Sequence, residues 1–229
     1  MVDLEELFRL NDHHREWYDE SLRDAYNAFL PLFVDLRNGV APKPKYAAIE
    51  GMVQYGLSEA EAFFILEYTA RSSRWVNEDL RAGRRLSTPD KILFVEALDS
   101  ALNKIPSYNN RIVYRMDKPH GEKADIIKWF EIRKGAEFGI PYFLSTAQED
   151  YHNSPIVWQI RTLNEGSFAK NISNLTNDAA ELEVLFKRGA NFRIAGVDNK
   201  KSYVFLEEIP SEAAVDFSLI DWYYSNSKS

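Results

Sequence analysis

The 229-residue chain has no cysteine, which excludes disulfides, thiolate-bound zinc and a cysteine nucleophile. A chain without thiols tolerates either redox environment, so this absence assigns no compartment. Histidine is scarce: four residues do not make a His-rich metal site. Glycine-rich phosphate loops are missing, which weakens P-loop and Rossmann readings. No apolar run approaches the roughly 18 residues of a membrane span. The first residues, Met1-Val2-Asp3-Leu4-Glu5-Glu6-Leu7-Phe8, lack the basic start and apolar stretch of a secretory signal. Synthesis as a soluble cytosolic protein is therefore expected, with delivery into another cell without a cleaved signal left open. A basic excess is also absent. Lys and Arg number 28 against 35 Asp and Glu, a formal net charge of -7. Broad electrostatic binding to nucleic acid or an anionic membrane is not expected, although a local basic groove stays open.

What is present is an ordinary globular balance, with 45% hydrophobic and 28% charged residues. The first half reads as helices. Leu22, Tyr26, Phe29, Leu30 and Phe33 form one amphipathic stripe, which Pro31 should kink or break. Ser58-Glu59-Ala60-Glu61 is a capping box opening a helix with Ala62, Phe63, Ile65 and Leu66. Thr88-Pro89 starts another, whose face carries Ile92, Val95, Leu98 and Leu102. The character changes near Ile105-Pro106. Strands are expected at Arg111–Arg115, Tyr142–Leu144, Ile156–Leu163, Glu183–Phe186, Phe192–Val197 and Tyr203–Glu207, with a short helix at Asp125–Arg133. Val197–Lys201 reads as a hairpin loop. Ser225–Ser229 is polar and expected to fray. The fold class that follows is α+β: a helical N-terminal lobe, then a mostly antiparallel β core.

Three clusters can carry chemistry. Glu181 and Glu183 flank Leu182 ahead of an apolar run, and lie on one face if both are extended. The plain alternative is a pair of acids facing water on an edge strand. Arg115, near a strand end, presents a fork suited to phosphate or carboxylate, or else to a surface ion pair. Ser145-Thr146 follows Phe143-Leu144 and can either cap a turn or orient a nearby carboxylate. No histidine lies in these motifs, so a Ser-His-Asp triad has no local support.

The order of these clusters resembles the Arg/Ser-Thr-Ser/Glu-x-Glu class of mono-ADP-ribosyltransferases, of the bacterial exoenzyme or phage type. Val113-Tyr114-Arg115 looks like that family's first motif, and Ser145-Thr146 matches two-thirds of the second. Glu181 to Phe186, with Gly189 and Phe192, matches the third. Upstream, Tyr68-Thr69 and Trp75 to Arg81 are similar to its helical segment. The resemblance runs from about Glu59 to Glu207.

That resemblance implies a β-sandwich core and an enzyme that uses NAD as substrate, releases nicotinamide and transfers ADP-ribose. It implies that Glu183 stabilises the positive charge developing as the glycosidic bond lengthens, and holds the ribose 2′-hydroxyl. Glu181 would face the acceptor and orient a guanidinium, which makes arginine of a target protein the expected acceptor. Arg115 would grip the NAD phosphates, and Ser145 would fix the Glu183 rotamer. The Met116 backbone, Thr146, Tyr68 and Asn77 are the further cofactor-binding candidates. For Tyr68 and Asn77, helix packing and capping are an equal alternative. Residues 147–154 would cover the phosphates and nicotinamide, and 173–180 would recognise the acceptor.

Three departures stand out. Ala147 replaces the second motif's last serine, Ser73 stands where relatives carry an aromatic, and Asn177 to Ala180 lack the usual acceptor-loop aromatic. Residues 1–48 fall outside the resemblance and are read as an N-terminal helical segment, with 49–229 as the catalytic domain. The compact chain looks somewhat like phage enzymes that modify host proteins, and an effector injected by a bacterial secretion system fits equally. The competing functions are an NAD glycohydrolase, a transferase acting on nucleic acid or a small guanidino compound, and an inactive binding module on the same fold.

Overall fold

A computed structural model describes residues 46–69, 73–81, 89–117, 122–152, 154–176 and 179–211. The expected stripe at 22–33 with its Pro31 break, the Thr88 cap and the tail 225–229 lie outside the described residues. The chain divides into two compact units. One comprises Met1–Ile105 with Ile172–Ala180, the other Pro106–Asn171 with Glu181–Ser229. The boundary falls at the change of character read at Ile105-Pro106.

The first unit is helical. Helix α1 (Tyr46–Tyr55) ends on Gly56, whose φ of 61° is free of penalty only for a residue without Cβ. Gly56 N–H donates to the Val53 carbonyl and Leu57 N–H to that of Met52, a Schellman closure of the helix end. Ser58 then opens α2 (Glu59–Glu67) with the expected capping box: Glu61 N–H donates to Ser58 Oγ, and Ser58 N–H to the Glu61 carboxylate. Ala62, Phe63, Ile65 and Leu66 are buried as expected, but so are Phe64 and Glu67, so the 62–67 stretch of α2 is enclosed on all sides. Helix α3 spans Ser73–Arg81, and α4 (Pro89–Lys104) has proline at its first position. Val95, Leu98 and Leu102 of α4 are fully buried, and Phe94 meets Phe64 of α2 edge-on at 5.1 Å. Lys104 bonds Glu61 at 2.8 Å, tying the end of α4 to the start of α2. No helix among the described residues is long and apolar enough to cross a membrane.

The second unit is built on one eight-stranded sheet. Its strands are β1 (Ile112–Asp117), β2 (Glu137–Ile140), β3 (Leu144–Ala147), β4 (Ile156–Arg161), β5 (Ala169–Asn171), β6 (Glu183–Phe186), β7 (Ala190–Asp198) and β8 (Tyr203–Ile209). Helix α5 (Lys123–Glu131) follows β1. The order is β2-β7-β8-β4-β1-β3-β6-β5, with every neighbour antiparallel except β4 and β8. β1 and β3 share a single register pair, Tyr114 opposite Ala147. That narrow seam lets three strands fold back over five. Phe186 of β6 thereby meets Phe192 of β7 at 5.3 Å, although the two strands are far apart in the order. This gives the two-layered, mostly antiparallel core that the fold class required. Helix α5 buries Ile126, Ile127, Trp129 and Phe130, the last against Trp158 of β4 at 5.9 Å.

The expected strand at Tyr142–Leu144 is displaced. Tyr142 and Phe143 are buried outside the ladder, and the strand runs over Leu144–Ala147. β2 and β5 were not anticipated. β2 carries an acid and a glycine and β5 is three residues long, so neither shows alternation; pairing with β7 and β6 makes them strands. The hairpin loop expected at Val197–Lys201 is shifted: Val197 and Asp198 still belong to β7 and the turn occupies 199–202, with Asp198 Oδ1 accepting from the N–H groups of Lys200 and Lys201.

Candidate active site

Ser145 stands in the middle of β3, so the turn-cap alternative for the hydroxyl pair does not hold. Its partner across β6 is Leu185, and Ala147 pairs with Glu183. Strand alternation puts Ser145 and Glu183 on one face. The Ser145 hydroxyl donates to Glu183 Oε1 at 2.6 Å. Thr146 points the other way and its hydroxyl donates to the Val184 carbonyl at 2.6 Å, clamping β3 to β6.

Glu183 is only 6% exposed. Burial raises its pKa to about 7, against the lowering effect of the Ser145 hydrogen bond, and the nearby Glu181 charge adds to the rise. A carboxylate kept in so poorly solvating a place gains strongly from any positive charge that appears beside it. The reading of both acids as solvated edge residues fails for Glu183.

Glu181 differs. It ends a short 3-10 turn, Ala179–Glu181, and is exposed. Leu182 between the acids has φ 45°, the left-handed region that a branched residue enters at a cost of roughly 1 kcal/mol. The expectation that the acids share a face because both are extended is thus corrected: a tight turn, not strand alternation, sets the direction of Glu181.

Arg115 lies on β1 beside the seam. Its Nη1 donates to the Ser145 carbonyl at 2.9 Å and Nη2 stands 3.7 Å from Asp117. The guanidinium also lies over Trp158, 6.0 Å from the ring centre, directly across on β4. Ser145 therefore joins the site: its carbonyl holds the arginine and its hydroxyl holds the glutamate. Met116, next along β1, pairs with Val157 and brings its backbone to the same strand end.

Tyr68 and Asn77 belong to the helical unit. Both are buried, and Asn77 Nδ2 donates to the Tyr68 hydroxyl at 2.8 Å. This bond braces the end of α2 against α3, in keeping with the packing alternative. The described part of 173–180 also packs within that unit. Asn174 donates to Gln54 at 2.8 Å, and a Cβ on Gly51 would sit 2.6 Å from Leu175 Cδ2, so α1 needs glycine there. Asn177 and Asp178 lie outside the described residues.

Ala147 of the 147–154 segment belongs to β3, and the described residues 148–152 follow it. Gln148 N–H donates to the Leu182 carbonyl at 3.1 Å and the Tyr151 hydroxyl to the Glu181 carbonyl at 2.5 Å. Asp150 accepts from the Tyr203 hydroxyl and lies 3.0 Å from His152 Nδ1. That hydrogen bond to Asp150 is the main reason the Tyr203 pKa rises to about 12, so the phenol remains a donor. The segment borders a hollow of about 420 Å³ lined in part by Tyr114, Gln148, Asp150 and Tyr203. Sequence reasoning missed Gln148, Tyr151 and Trp158. The first two sit in a polar loop without periodicity, and Trp158 read only as strand core. Among the described residues no group of three or more His, Asp or Glu is placed to hold a metal ion.

Solved structures share this architecture. The Clostridium limosum C3 exoenzyme superposes with a TM-score of 0.61 at 22% identity, covering 71% of this chain and 91% of that one. Plx2a, an ADP-ribosyltransferase toxin from Paenibacillus larvae, gives 0.60 at 20% identity, covering 71% and 93%. The Vis toxin, an ADP-ribosyltransferase from Vibrio splendidus, gives 0.52 at 18% identity over 93% of this chain and 89% of its own. At such identities these likenesses speak to the fold. No sequence among the curated proteins matches the chain. The family model of the ADP-ribosyltransferase exoenzymes matches residues 43–211, a span that takes in Arg115, Ser145 and both glutamates. The chain belongs to the ADP-ribosyltransferase exoenzyme family, and NAD is its substrate.

Proposed function

We propose that the enzyme transfers a single ADP-ribose from NAD to arginine side chains of a target protein. The observation that carries this reading is the pairing of a buried and an exposed carboxylate two residues apart. Glu183, enclosed and held by Ser145, suits the charge that develops as nicotinamide leaves. Glu181, solvent-facing on its turn, is free of the NAD-side constraint and suits an incoming guanidinium, which it orients and relieves of a proton. Arg115, already placed by Ser145 and Trp158, supplies the fork for a pyrophosphate. A structural relative adds support: Vis has been solved in complex with agmatine, a small compound that ends in the guanidinium of arginine.

The test is incubation with labelled NAD and a target-cell extract, followed by mass spectrometry of the modified proteins. ADP-ribose on arginine is the expected result. Modification solely at other residue types, or nicotinamide release without transfer, refutes the arginine reading. Glu183→Gln should abolish both release and transfer. Glu181→Gln should lose transfer to arginine and retain part of the release. A glycohydrolase, whose acceptor is water, would lose little on changing Glu181.

A further inference from the structure

The geometry points to Tyr151 as a positioning residue for Glu181, and so for the acceptor half of the reaction more than for the NAD half. This rests on the arginine-transfer reading above, in which Glu181 meets the acceptor. The turn that presents Glu181 is short. It is a single 3-10 turn followed by Leu182 at φ 45°, a conformation disfavoured for a branched side chain. The ladder between β6 and β3 begins only at Glu183 opposite Ala147, so strand pairing does not reach Glu181.

Two hydrogen bonds from the segment after β3 reach it instead. The Tyr151 hydroxyl donates to the Glu181 carbonyl at 2.5 Å, and Gln148 N–H donates to the Leu182 carbonyl at 3.1 Å. These carbonyls belong to the two peptide units on either side of the Leu182 α-carbon. Holding both planes holds the left-handed turn and the direction in which Glu181 leaves it. The donor segment is itself pinned. Tyr108 donates to Gln148 Oε1 at 3.0 Å, and Asp150 is gripped by Tyr203 and His152. Tyr151 thus reaches Glu181 from a firmly anchored loop. Glu183 needs no such help, because Ser145 and its own strand place it.

The experiment replaces Tyr151 with Phe, which removes one hydroxyl from a side chain that is 39% exposed and leaves the ring in place. NAD is supplied with agmatine as the acceptor probe, and nicotinamide release and ADP-ribosyl-agmatine are measured together for both proteins. Loss of this hydrogen bond should lower the ratio of transfer to release roughly fivefold, read mainly as a higher KM for agmatine. A merely structural role would lower both reactions by one factor and keep the ratio. An unchanged ratio, with or without a common loss, overturns the proposal. The wild-type enzyme separates the two ideas: if it releases nicotinamide yet modifies neither agmatine nor any arginine in the extract test above, the arginine reading fails and takes the role of Tyr151 with it. If wild type modifies agmatine and the variant keeps its ratio, Tyr151 alone is refuted.

Discussion

The Ser145 hydroxyl donates to Glu183 Oε1 at 2.6 Å across adjacent strands, and it is the favourable contact that offsets part of the burial of that carboxylate. The carbonyl of the same serine receives Arg115 at 2.9 Å. One residue in the centre of β3 therefore sets the distance between the anionic and cationic halves of the site. A rotamer change at Ser145 would release Glu183, and a shift of its backbone would move Arg115.

The first prediction concerns pH. In the proposed reaction Glu183 is ionised to stabilise positive charge, and its pKa stands at about 7. The kcat/KM of nicotinamide release should therefore rise with pH through that value, reporting the free enzyme. In Ser145→Ala the contact that lowers the pKa is lost, so the midpoint should move to higher pH. At pH 7 the variant should be slower by roughly tenfold, since less carboxylate is ionised and its rotamer is unheld. A midpoint that stays put, measured across the same buffers, would sever Ser145 from Glu183.

Stability should move the opposite way at Glu183. A carboxyl whose pKa is raised on folding binds more protons in the native state between the unfolded value of 4.5 and about 7. Its contribution is most favourable below 4.5 and is lost as pH rises through that window. Above pH 7 the folded enzyme thus carries a penalty on the order of 3 kcal/mol at most. Glu183→Gln removes the charge, so its Tm should exceed that of wild type at pH 8, and the gap should close toward pH 4.5. Thermal melts at the two pH values check this, and a lower Tm for the variant at pH 8 would contradict it.

Arg115 is held by the Ser145 carbonyl and lies over Trp158. Lysine keeps the charge and loses the fork and the stacking. Arg115→Lys should weaken NAD binding roughly tenfold or more. Calorimetric titration with NAD measures it. An unchanged Kd would remove Arg115 from the pyrophosphate.

Glu208 of β8 provides a contrasting carboxylate. It is 6% exposed, and burial raises its pKa. Its oxygens accept from Leu163 N–H, Phe168 N–H and the Ser167 hydroxyl, which fixes the connection between β4 and β5. Glu208→Ala would leave those donors without their acceptor and should destabilise by roughly 3 kcal/mol or more. Denaturant unfolding should show a lower midpoint, with the pH midpoint of nicotinamide release unmoved.

Much of this was legible in the chain. Ser58 and Glu61 declared their helix start through a contact only three residues long, and Pro89 declared another through its missing N–H. Glu183–Phe186 read as a strand with its observed ends because four successive residues are buried by neighbours on both faces. Leu144–Ala147 was harder. The aromatic pair before it looked more strand-like than Ser145 and Thr146, and only the ladder with β6 draws the hydroxyls into the sheet.

Sequence alone determined the inventory and its order: a chain without thiols, helices before strands, and an arginine, a hydroxyl pair and two acids arranged as in one family. These are properties of residue type and short spacing, which local chemistry decides. Tertiary structure decided that Glu183 is buried while Glu181 is exposed, that a left-handed Leu182 separates them, and that Tyr151 holds the turn. Each of those depends on strands distant in the chain folding over a single-pair seam at Tyr114 and Ala147. No local pattern encodes such a seam, because its energy comes from contacts such as Phe186 with Phe192 that exist only once the sheet has closed.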